Sequence, residues 1–458
     1  MTGRFLGQTR EICATRAVNK DAHGVLGLLS ESTKTPDCGM NRTTVRATTL
    51  VNKLLDLPGL AVSGVSLEPG RLLVDVELTA RKLRCPHCEF STWARYDTRP
   101  APSVWRHLDF GAATVTLRAD LRRLACPEHG VKVEWVPWSR YRAGFTADFE
   151  DVAAFPATKT DKTAIARFPR IDWDTVGRIC ERVAATELDG DRLNGLVTIG
   201  VDEVSWKKHH NYLTLVSDHD SGKIVWGAPG KDAETLNGFF AELGEDRASE
   251  LGAVSMDMGP AFNKSVTDKA PRATIRIDPF HVVKLVTDAF DTVRRIEWQA
   301  LRAIDAGMAK LFKGARWALL ENPENLDEGQ AATLRKFKRR GGRIWAAYKL
   351  KGALRAIFHG DLTAVEAVDL IERWCRQADA ADMPAFAKAA KTLRKHIAGI
   401  TQALERKISN GRHEGINSNV RLIIRGARGF HSAEAALGLV ILTCGPISLL
   451  LPHEKRAR

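Results

Sequence analysis

One run of apolar residues closes on two carboxylates: Leu196-Val197-Thr198-Ile199-Gly200-Val201-Asp202-Glu203. An uninterrupted apolar run of this length is typical of a buried strand. A second strand pattern follows at 212–216, and the Asp and Gly residues of 218–222 favour a hairpin that returns at 223–226. A helical pattern over 233–243 then leads to two short strand patterns, at 253–256 and 273–277. This part of the chain therefore predicts three meandering strands, followed by two strands that alternate with helices.

That order of elements is typical of an RNase H-like sheet, in which the ends of the first and fourth strands lie side by side. Asp202 follows the first strand and Asp257 follows the fourth, so we expect both carboxylates within reach of one metal ion. Two hard cations bridged by carboxylates activate an attacking oxygen and stabilise a leaving one during phosphodiester cleavage. A third carboxylate should come from a helix on the same edge, and Glu414 is the best candidate. An acidic residue that only caps a strand end is the alternative for each position taken singly.

The composition indicates a globular chain of several domains with an anionic partner. At 458 residues the sequence exceeds what one hydrophobic core usually supports. Its 68 Lys and Arg against 55 Asp and Glu give a net charge of +13, which favours nucleic acid over the alternative of a solvated surface. No segment approaches the roughly 20 apolar residues that span a bilayer, so we expect a cytoplasmic, nucleoid-associated protein without a membrane partner. In that reducing setting, closely spaced cysteines are better candidates for metal ligands than for disulfides.

Two short knuckles, at 85–88 and 126–129, lie about forty residues apart. Each offers two soft ligands on one tight turn, and two such turns make the tetrahedral cage that zinc prefers. The predicted zinc ligands are Cys85, Cys88, Cys126 and His129. His87 could replace a cysteine but is the weaker candidate. The alternative is a coincidental pair of buried cysteine turns. Four protein ligands leave no position for water, so we expect a structural zinc. Arginines crowd this module, and we expect it to lie against DNA phosphates through residues such as Arg122 and Arg123.

A helix-turn-helix is predicted in the middle of the chain. Residues 163–168 form the first helix in this interpretation, 169–172 the turn and 173–179 the second helix, with Asp172 as its N-cap. The small shared core should consist of Ile165, Phe168, Val176 and Ile179. The exposed face of the second helix would meet the major groove through Asp174, Thr175 and Arg178. A purely structural pair of helices is the alternative.

In combination, these motifs resemble the DDE transposases of the ISL-three family of bacterial insertion sequences. The resemblance covers the chain from about Met40 to Leu450 and rests on the knuckles, the helix-turn-helix, Gly200-Val201-Asp202-Glu203, Asp257-Met258 and His413-Glu414-Gly415-Ile416-Asn417. It implies a catalytic triad of Asp202, Asp257 and Glu414. It also implies two catalytic Mg²⁺ or Mn²⁺ ions and short terminal inverted repeats as substrate. The family more often has a cysteine where this chain has His129.

The resemblance further implies a helical insertion at about 279–409 that splits the sheet domain. Related transposases have a similar Asp-x-x-His at its entrance, so Asp278 and His281 would support the active site; a helix N-cap and a core histidine are the alternative. A basic run within the insertion, which includes Arg339 and Arg340, is expected to contact phosphates. The insertion also contains four tryptophans: Trp298, Trp317, Trp345 and Trp374. We expect most of them to lie in its core, while one could stack on a base flipped out at a transposon end.

The expected fold class is a multidomain α/β protein, in which an N-terminal zinc ribbon and helix-turn-helix precede an RNase H-like mixed β-sheet core interrupted by an all-helical insertion. The expected boundaries are a disordered extension at 1–39, the zinc-ribbon domain at 40–135, the helix-turn-helix domain at 136–190, the core at 191–278 and 410–458, and the insertion at 279–409. The expected partners are terminal inverted repeats and target DNA, bound by a homodimer or higher oligomer whose front half, about 40–190, recognises DNA as a separate fragment. The rival functions are a non-catalytic DNA-binding regulator and a Holliday-junction or RNA-directed nuclease.

Overall fold

The structure is a computed structural model that describes residues 45–456 apart from 161, 208–210, 361, 406–409 and 428, with the backbone alone at 162–164, 405, 410–414 and 417. The extension expected at 1–39 lies outside these residues. No helix in the described ranges is long and apolar enough to cross a membrane.

The front of the described chain is a helix-backed sheet joined to a small ribbon. Its elements are α1 (Ala47–Leu55), β1 (Leu60–Glu68), β2 (Arg71–Leu78), β3 (Leu83–Arg84), β4 (Ser91–Thr92), β5 (Asp97–Thr98), β6 (Ser103–Phe110), β7 (Ala113–Ala119), β8 (Arg122–Cys126) and β9 (Gly130–Val133). A four-stranded sheet has the order β1-β2-β7-β6, and its inner face packs with α1 around Trp105 and Trp138. The hairpin β3-β4 and the three-stranded sheet β5-β8-β9 form the ribbon around the two cysteine knuckles.

Three helices follow the ribbon: α2 (Ala147–Ala157), α3 (Lys162–Arg167) and α4 (Trp173–Glu187). The pair α3 and α4 matches the predicted helix-turn-helix, and Ile165, Val176 and Ile179 are buried as expected. Phe168 does not join them: its side chain is 75% exposed, because α3 ends at Arg167 and Phe168 opens the turn. Asp172 is the N-cap residue of α4, but its side chain makes no capping hydrogen bond.

A five-stranded mixed sheet forms the centre of the chain. Its elements are β10 (Thr198–Lys207), β11 (Asn211–Asp218), β12 (Lys223–Pro229), α5 (Ala233–Leu243), α6 (Glu245–Glu250), β13 (Ala253–Met256), α7 (Pro260–Lys269) and β14 (Thr274–Ile277). The order β12-β11-β10-β13-β14, antiparallel on one side of β10 and parallel on the other, is the predicted RNase H-like arrangement. Unlike the prediction, β10 does not end at Asp202. Its pairing with β11 continues to Lys207, whereas its pairing with β13 stops at Gly200.

The insertion is helical, as expected, and has a hydrophobic core of its own. It contains α8 (Pro279–Arg302), α9 (Ala306–Gly314), α10 (Arg316–Leu320), α11 (Glu328–Arg340), α12 (Gly342–His359), α13 (Ala364–Ala380), α14 (Pro384–Lys395) and α15 (Ile397–Glu405). Trp374 is buried in this core, where its indole N–H donates to the Leu350 carbonyl (2.8 Å), and Trp298 and Trp345 pack against it. Trp317 is the exception, because 61% of its surface is exposed.

The C-terminal helices pack onto the helix-turn-helix. They are α16 (Asn410–Gly426), α17 (Ala433–Cys444) and α18 (Pro452–Arg456). One hydrophobic core contains side chains of α2 to α4, of β10 to β12, and of α16 and α17. The helix-turn-helix and the central sheet are therefore two layers around a shared core.

The C-terminal helix α17 crosses α4 of the helix-turn-helix closely, and each helix has a glycine at or near the crossing. A Cβ atom added at Gly177 would lie 2.6 Å from His431 Cε1, and one added at Gly438 would lie 2.8 Å from Glu181 Cα. Both distances are shorter than a carbon–carbon contact allows. Gly438 meets backbone atoms and therefore requires glycine for this approach, whereas a larger residue at Gly177 would have to displace the His431 ring. Lys455 of α18 adds an ion pair with the buried Asp151 of α2 (2.7 Å). These contacts argue against a front half that folds separately.

Candidate active site and zinc site

Three aspartates follow paired positions of the parallel strands at the carboxyl edge of the sheet. The pairing of β10, β13 and β14 passes through one row of residues: Gly200, Ser255 and Arg276. Two positions further along each strand come Asp202, Asp257 and Asp278. The Asp278 amide donates to the Met256 carbonyl (3.0 Å), which keeps β14 beside β13 up to this row, whereas the pairing of β10 with β13 stops at Gly200. The two aspartates predicted from the sequence thus occupy neighbouring strands, and Asp278 extends their row.

Asp202 is buried and only partly hydrogen-bonded. Its side chain accepts the amide of Glu203 at Oδ1 (2.8 Å), whereas Oδ2 is buried and has no hydrogen-bond partner among the described residues. Burial raises the pKa of Asp202 to about 7, and the neighbouring charge of Glu203 acts in the same direction. A buried carboxylate with a free oxygen is costly without a cation. The environment of Asp202 therefore fits a divalent metal ion.

Glu203, a half-buried carboxylate, directly follows the buried Asp202, and the sequence analysis assigned it no role. Burial raises its pKa, the charge of Asp257 raises it further, and its Oε2 has no hydrogen-bond partner in the described part of the chain. Asp257 itself is half-buried and accepts the amide of Gly259 at Oδ1 (2.8 Å). The sequence signal for Glu203 was its position directly after Asp202. Consecutive strand residues face opposite sides of a sheet, so this pair places one carboxylate on each side of β10.

Asp278 and His281 connect the insertion to the same edge. Asp278 is the N-cap of α8 and accepts the amide of Phe280 (2.9 Å), which agrees with the structural alternative considered for it. It is also buried, and its charge contributes to the raised pKa of Asp202. His281 Nε2 lies 3.8 Å from Asp202 Oδ1. Both residues therefore lie beside Asp202, where a supporting role is open to them.

Glu414, the third predicted carboxylate, belongs to α16, but its side chain lies outside the described residues. α16 packs against β10, and the charge of its Arg421 lowers the pKa of Asp202. Position 414 precedes Arg421 by seven residues, which is about two helical turns, so both positions share one face of α16. Among the described residues, no group of three metal-type ligands with mutual distances below 4.8 Å forms at this edge.

The four predicted zinc ligands do come together. The ligand atoms of Cys85, Cys88, Cys126 and His129 all lie within 4.8 Å of one another. His129 Nδ1 is 3.5 Å from Cys126 Sγ and 3.9 Å from Cys85 Sγ. The ring of His87 stacks on His129 with 5.1 Å between centroids and is not part of the cluster. Two thiols on one knuckle, with a thiol and an imidazole on the other, fit one tetrahedral zinc ion.

The residues predicted to contact DNA have unequal surroundings. Arg122 binds the buried carboxylate of Glu134 (Nη2 to Oε2, 2.6 Å), and Arg123 is paired with Asp97. Asp174 of α4 faces α17, because its Oδ1 lies 3.6 Å from His431 Nδ1.

The remaining predicted DNA contacts are more open. Arg178 of α4 is exposed and Thr175 is half-buried. In α11, Arg339 is exposed without a carboxylate partner in the described ranges, while the exposed Arg340 lies 2.7 Å from Met308 Sδ.

A zinc ribbon, a helix-turn-helix and a carboxylate-edged RNase H-like sheet in one chain define a transposase of insertion sequences. Three family models agree: the DDE model described as transposase matches residues 199–437, the zinc-finger of transposase IS204/IS1001/IS1096/IS1165 matches 81–129, and the helix-turn-helix domain of transposase family ISL3 matches 134–184. The chain belongs to the ISL3 family of transposases, which are DNA-binding enzymes of the DDE class.

Curated relatives agree with this assignment. The transposase for insertion sequence element IS1557 of Mycobacterium tuberculosis is 40% identical over 382 residues, which cover 79% of this chain and 85% of that protein. The transposase for insertion sequence element IS1001 of Bordetella parapertussis is 28% identical over 373 residues, which cover 80% of this chain and 90% of that protein.

Proposed function

We propose that this transposase binds the terminal inverted repeats of its insertion sequence and catalyses metal-dependent DNA cleavage and strand transfer at the edge of the central sheet. The observation that carries the proposal is that Asp202, Asp257 and Asp278 each follow, by two positions, the paired row of Gly200, Ser255 and Arg276 on three adjacent parallel strands. The buried Oδ2 of Asp202 supports it, because this oxygen has no hydrogen-bond partner among the described residues and the charges of Glu203 and Asp278 lie near it.

In this proposal Asp202, Asp257 and Glu414 hold two Mg²⁺ or Mn²⁺ ions. When bound, such ions supply an activated oxygen nucleophile and neutralise charge on the leaving oxygen. Asp278 caps α8 and so fixes the position of His281, whose imidazole can orient Asp202 or receive a proton near it. Arg421 balances the negative charge of the edge before the ions arrive. Cys85, Cys88, Cys126 and His129 hold the structural zinc.

Recognition of the DNA ends is assigned to the open side of α4. Gly177 and Glu181 of this helix contact the α17 side, whereas Arg178 is exposed and Thr175 is half-buried, and we assign these two side chains to base edges. Asp174 is held against His431, and Arg122 and Arg123 are held by carboxylates. We therefore expect these three residues to contribute less to binding than Arg178 does.

The insertion supplies a second surface for the DNA backbone. Its exposed cations include several without a carboxylate partner in the described ranges: Lys310, Lys313, Arg335, Lys336, Lys338 and Arg339. Exposed, unpaired cations bind phosphates with the counterion release that makes such binding steeply salt-dependent. Trp317 lies beside them with the Arg316 guanidinium 5.0 Å above its ring, and we assign it the base-stacking role that the sequence left open among four tryptophans. Cleavage at two ends of one element requires two active sites, for which we propose a dimer or higher oligomer on DNA.

Strand cleavage of a labelled terminal-repeat duplex by the full-length protein in Mg²⁺ or Mn²⁺ tests the proposed reaction. Asp202→Asn, Asp257→Asn and Glu414→Gln keep side-chain size but remove the charge that the ions require. Each variant should bind the duplex as the wild type does and lose cleavage by several orders of magnitude, on the order of the 10²–10⁴ or more seen when a transition-state contact is deleted.

Asp288→Asn is the matched control, because Asp288 is an exposed α8 carboxylate whose ion pair within the described ranges is with Lys284, one turn earlier. This variant should cleave normally. Near wild-type cleavage by any one of the three active-site variants would remove that residue from the metal site. End binding without cleavage by the wild type in either metal would leave a DNA-binding regulator instead.

A further inference from the structure

A cavity of about 380 Å³ lies along β14, the edge strand of the central sheet. We call it the β14 cavity. α7 lines it on one side, and the junction between α14 and α15 lines it on the other. Its polar lining residues are Asn263, Thr274, Lys395, His396 and Gln402. The volume is within the range of roughly 300–1,000 Å³ that ligand sites occupy.

The lining of the β14 cavity is selective for an anion. It includes a lysine, an imidazole, two amides and a hydroxyl, and no carboxylate. Lys395, the cation of this lining, is exposed and has no ion pair among the described residues. The adjacent Arg394, in contrast, is held by Asp379 (2.8 Å) and Glu372. Five groups that can donate hydrogen bonds therefore face one space with a net positive charge.

The cavity adjoins the proposed active site. Ile277 lines it and directly precedes Asp278 of the carboxylate row. His396 lines it too and senses the charge of Asp257, which raises the pKa of this imidazole against the larger lowering by burial and by Lys395. A DNA strand held at Asp257 would therefore pass beside the cavity.

We propose that the β14 cavity binds a backbone phosphate of the DNA strand that reaches the carboxylate row, with Lys395 as the counter-charge and Gln402 and Asn263 as hydrogen-bond donors. This inference rests on the proposed cleavage function and adds a subsite to it. A phosphodiester fits because it presents an anion with several acceptor oxygens, which one cation and neutral donors can satisfy together. The metal-binding carboxylates hold the reacting phosphate, so the cavity takes a neighbouring one.

The first test scans the phosphates next to the cleavage site in the full-length protein. Duplexes carry one neutral methylphosphonate at a time, up to five nucleotides to either side. For the wild type, one position outside the scissile phosphate should slow cleavage by about tenfold, the loss expected for one charge-assisted contact. Lys395→Ala should slow cleavage of the unmodified duplex by a similar factor, and methylphosphonate at that position should slow this variant no further. Gln402→Ala should behave in the same way with a smaller effect.

Lys391→Ala is the matched control, because Lys391 is an exposed lysine of α14 that does not line the cavity. It should cleave like the wild type and respond to the same methylphosphonate. Additive effects of methylphosphonate and Lys395→Ala at every position would overturn the proposal, and so would unchanged cleavage by Lys395→Ala.

A second readout does not depend on cleavage. Bound terminal duplex should protect Lys395, but not Lys391, from acylation by an amine-reactive ester, as followed by mass spectrometry of peptides. Equal reactivity of both lysines in the complex would overturn the β14 cavity as a DNA site even if cleavage is normal. Protection of Lys395 in a wild type that never cleaves would keep the cavity and overturn the proposed reaction instead.

Discussion

Asp202→Asn should make the metal-free protein more stable, because the folded chain holds this carboxyl in an environment that penalises its charge. Its pKa is raised to about 7 by burial, whereas an aspartate in an unfolded chain titrates near 4. A gap of about three pH units corresponds to roughly 4 kcal/mol at about 1.4 kcal/mol per unit. That figure is the upper end, and we expect about 2–4 kcal/mol.

The sign of the pH dependence follows from the direction of the shift. The folded state binds this proton more tightly than the unfolded state, so stability falls as the pH rises from about 4 to about 7 and stays lower above that. The free energy of unfolding can be measured with denaturant on the zinc-loaded full chain without added Mg²⁺ or Mn²⁺. Asp202→Asn should equal the wild type near pH 4 and be more stable above pH 7. Mg²⁺ or Mn²⁺ should then stabilise the wild type by about 1.4–2.7 kcal/mol at 10 to 100 times its Kd, and the variant much less.

Asp291→Asn gives the opposite sign and serves as the control. Asp291 is buried as well, but Arg294 and Arg295 outweigh that burial and lower its pKa, so this substitution should destabilise the protein at neutral pH. A wild type that is as stable as Asp202→Asn above pH 7 would refute the argument that Asp202 is an uncompensated charge. Equal stabilisation of both proteins by the divalent ion would refute its role as a ligand.

Three further predictions concern zinc and DNA recognition. The purified protein should contain about one zinc per chain by metal analysis, and Cys85→Ser with Cys126→Ser should abolish it and unfold the ribbon, since structural zinc binding is coupled to folding; an unchanged metal content would contradict the ligand set. Arg178→Ala should weaken discrimination between terminal and random duplexes in competition binding by about 1–3 kcal/mol. Arg122→Ala should lower the stability of the ribbon more than it alters this discrimination, because the Arg122 guanidinium binds the buried Glu134. A fragment of residues 47–190 should be aggregation-prone and lack a cooperative unfolding transition, because it leaves its half of the shared core open to water; a folded, monomeric fragment would show that this half needs no partner.

Much of the fold could be predicted from local pattern. The apolar runs and turn chemistry located β11, β12, α5, β13 and β14 to within three residues, because each of these elements is decided by its own sequence. The end of β10 could not be, since Asp202 lies within a strand whose length is set by pairing with β11. Phe168 was misplaced for a similar reason: helical spacing suggests a buried face, but the helix ends one residue earlier.

The candidate site was predictable only in part. Side-chain type and strand order were enough to select Asp202 and Asp257, and ligand spacing was enough for the zinc cluster. Which arginines are free for DNA depends on contacts between distant positions, such as Arg122 with Glu134 across the ribbon, and no local pattern reports them. The same limit applies to the β14 cavity, whose walls come from residues more than a hundred positions apart.

The shared core changes how recognition and catalysis are related. A helix that reads DNA and a sheet edge that cuts it could be joined by a flexible linker, and the cleavage position would then vary with the linker. Here α4 is fixed against α17 at Gly177 and Gly438, and α17 in turn packs on β12 of the sheet that ends in the carboxylate row. Because packed cores transmit position rather than absorb it, in the proposed reaction the fold would set the distance from the DNA bound by α4 to the cleaved phosphate. The protein would therefore cleave the end of its element at a fixed distance from the DNA sequence that α4 binds.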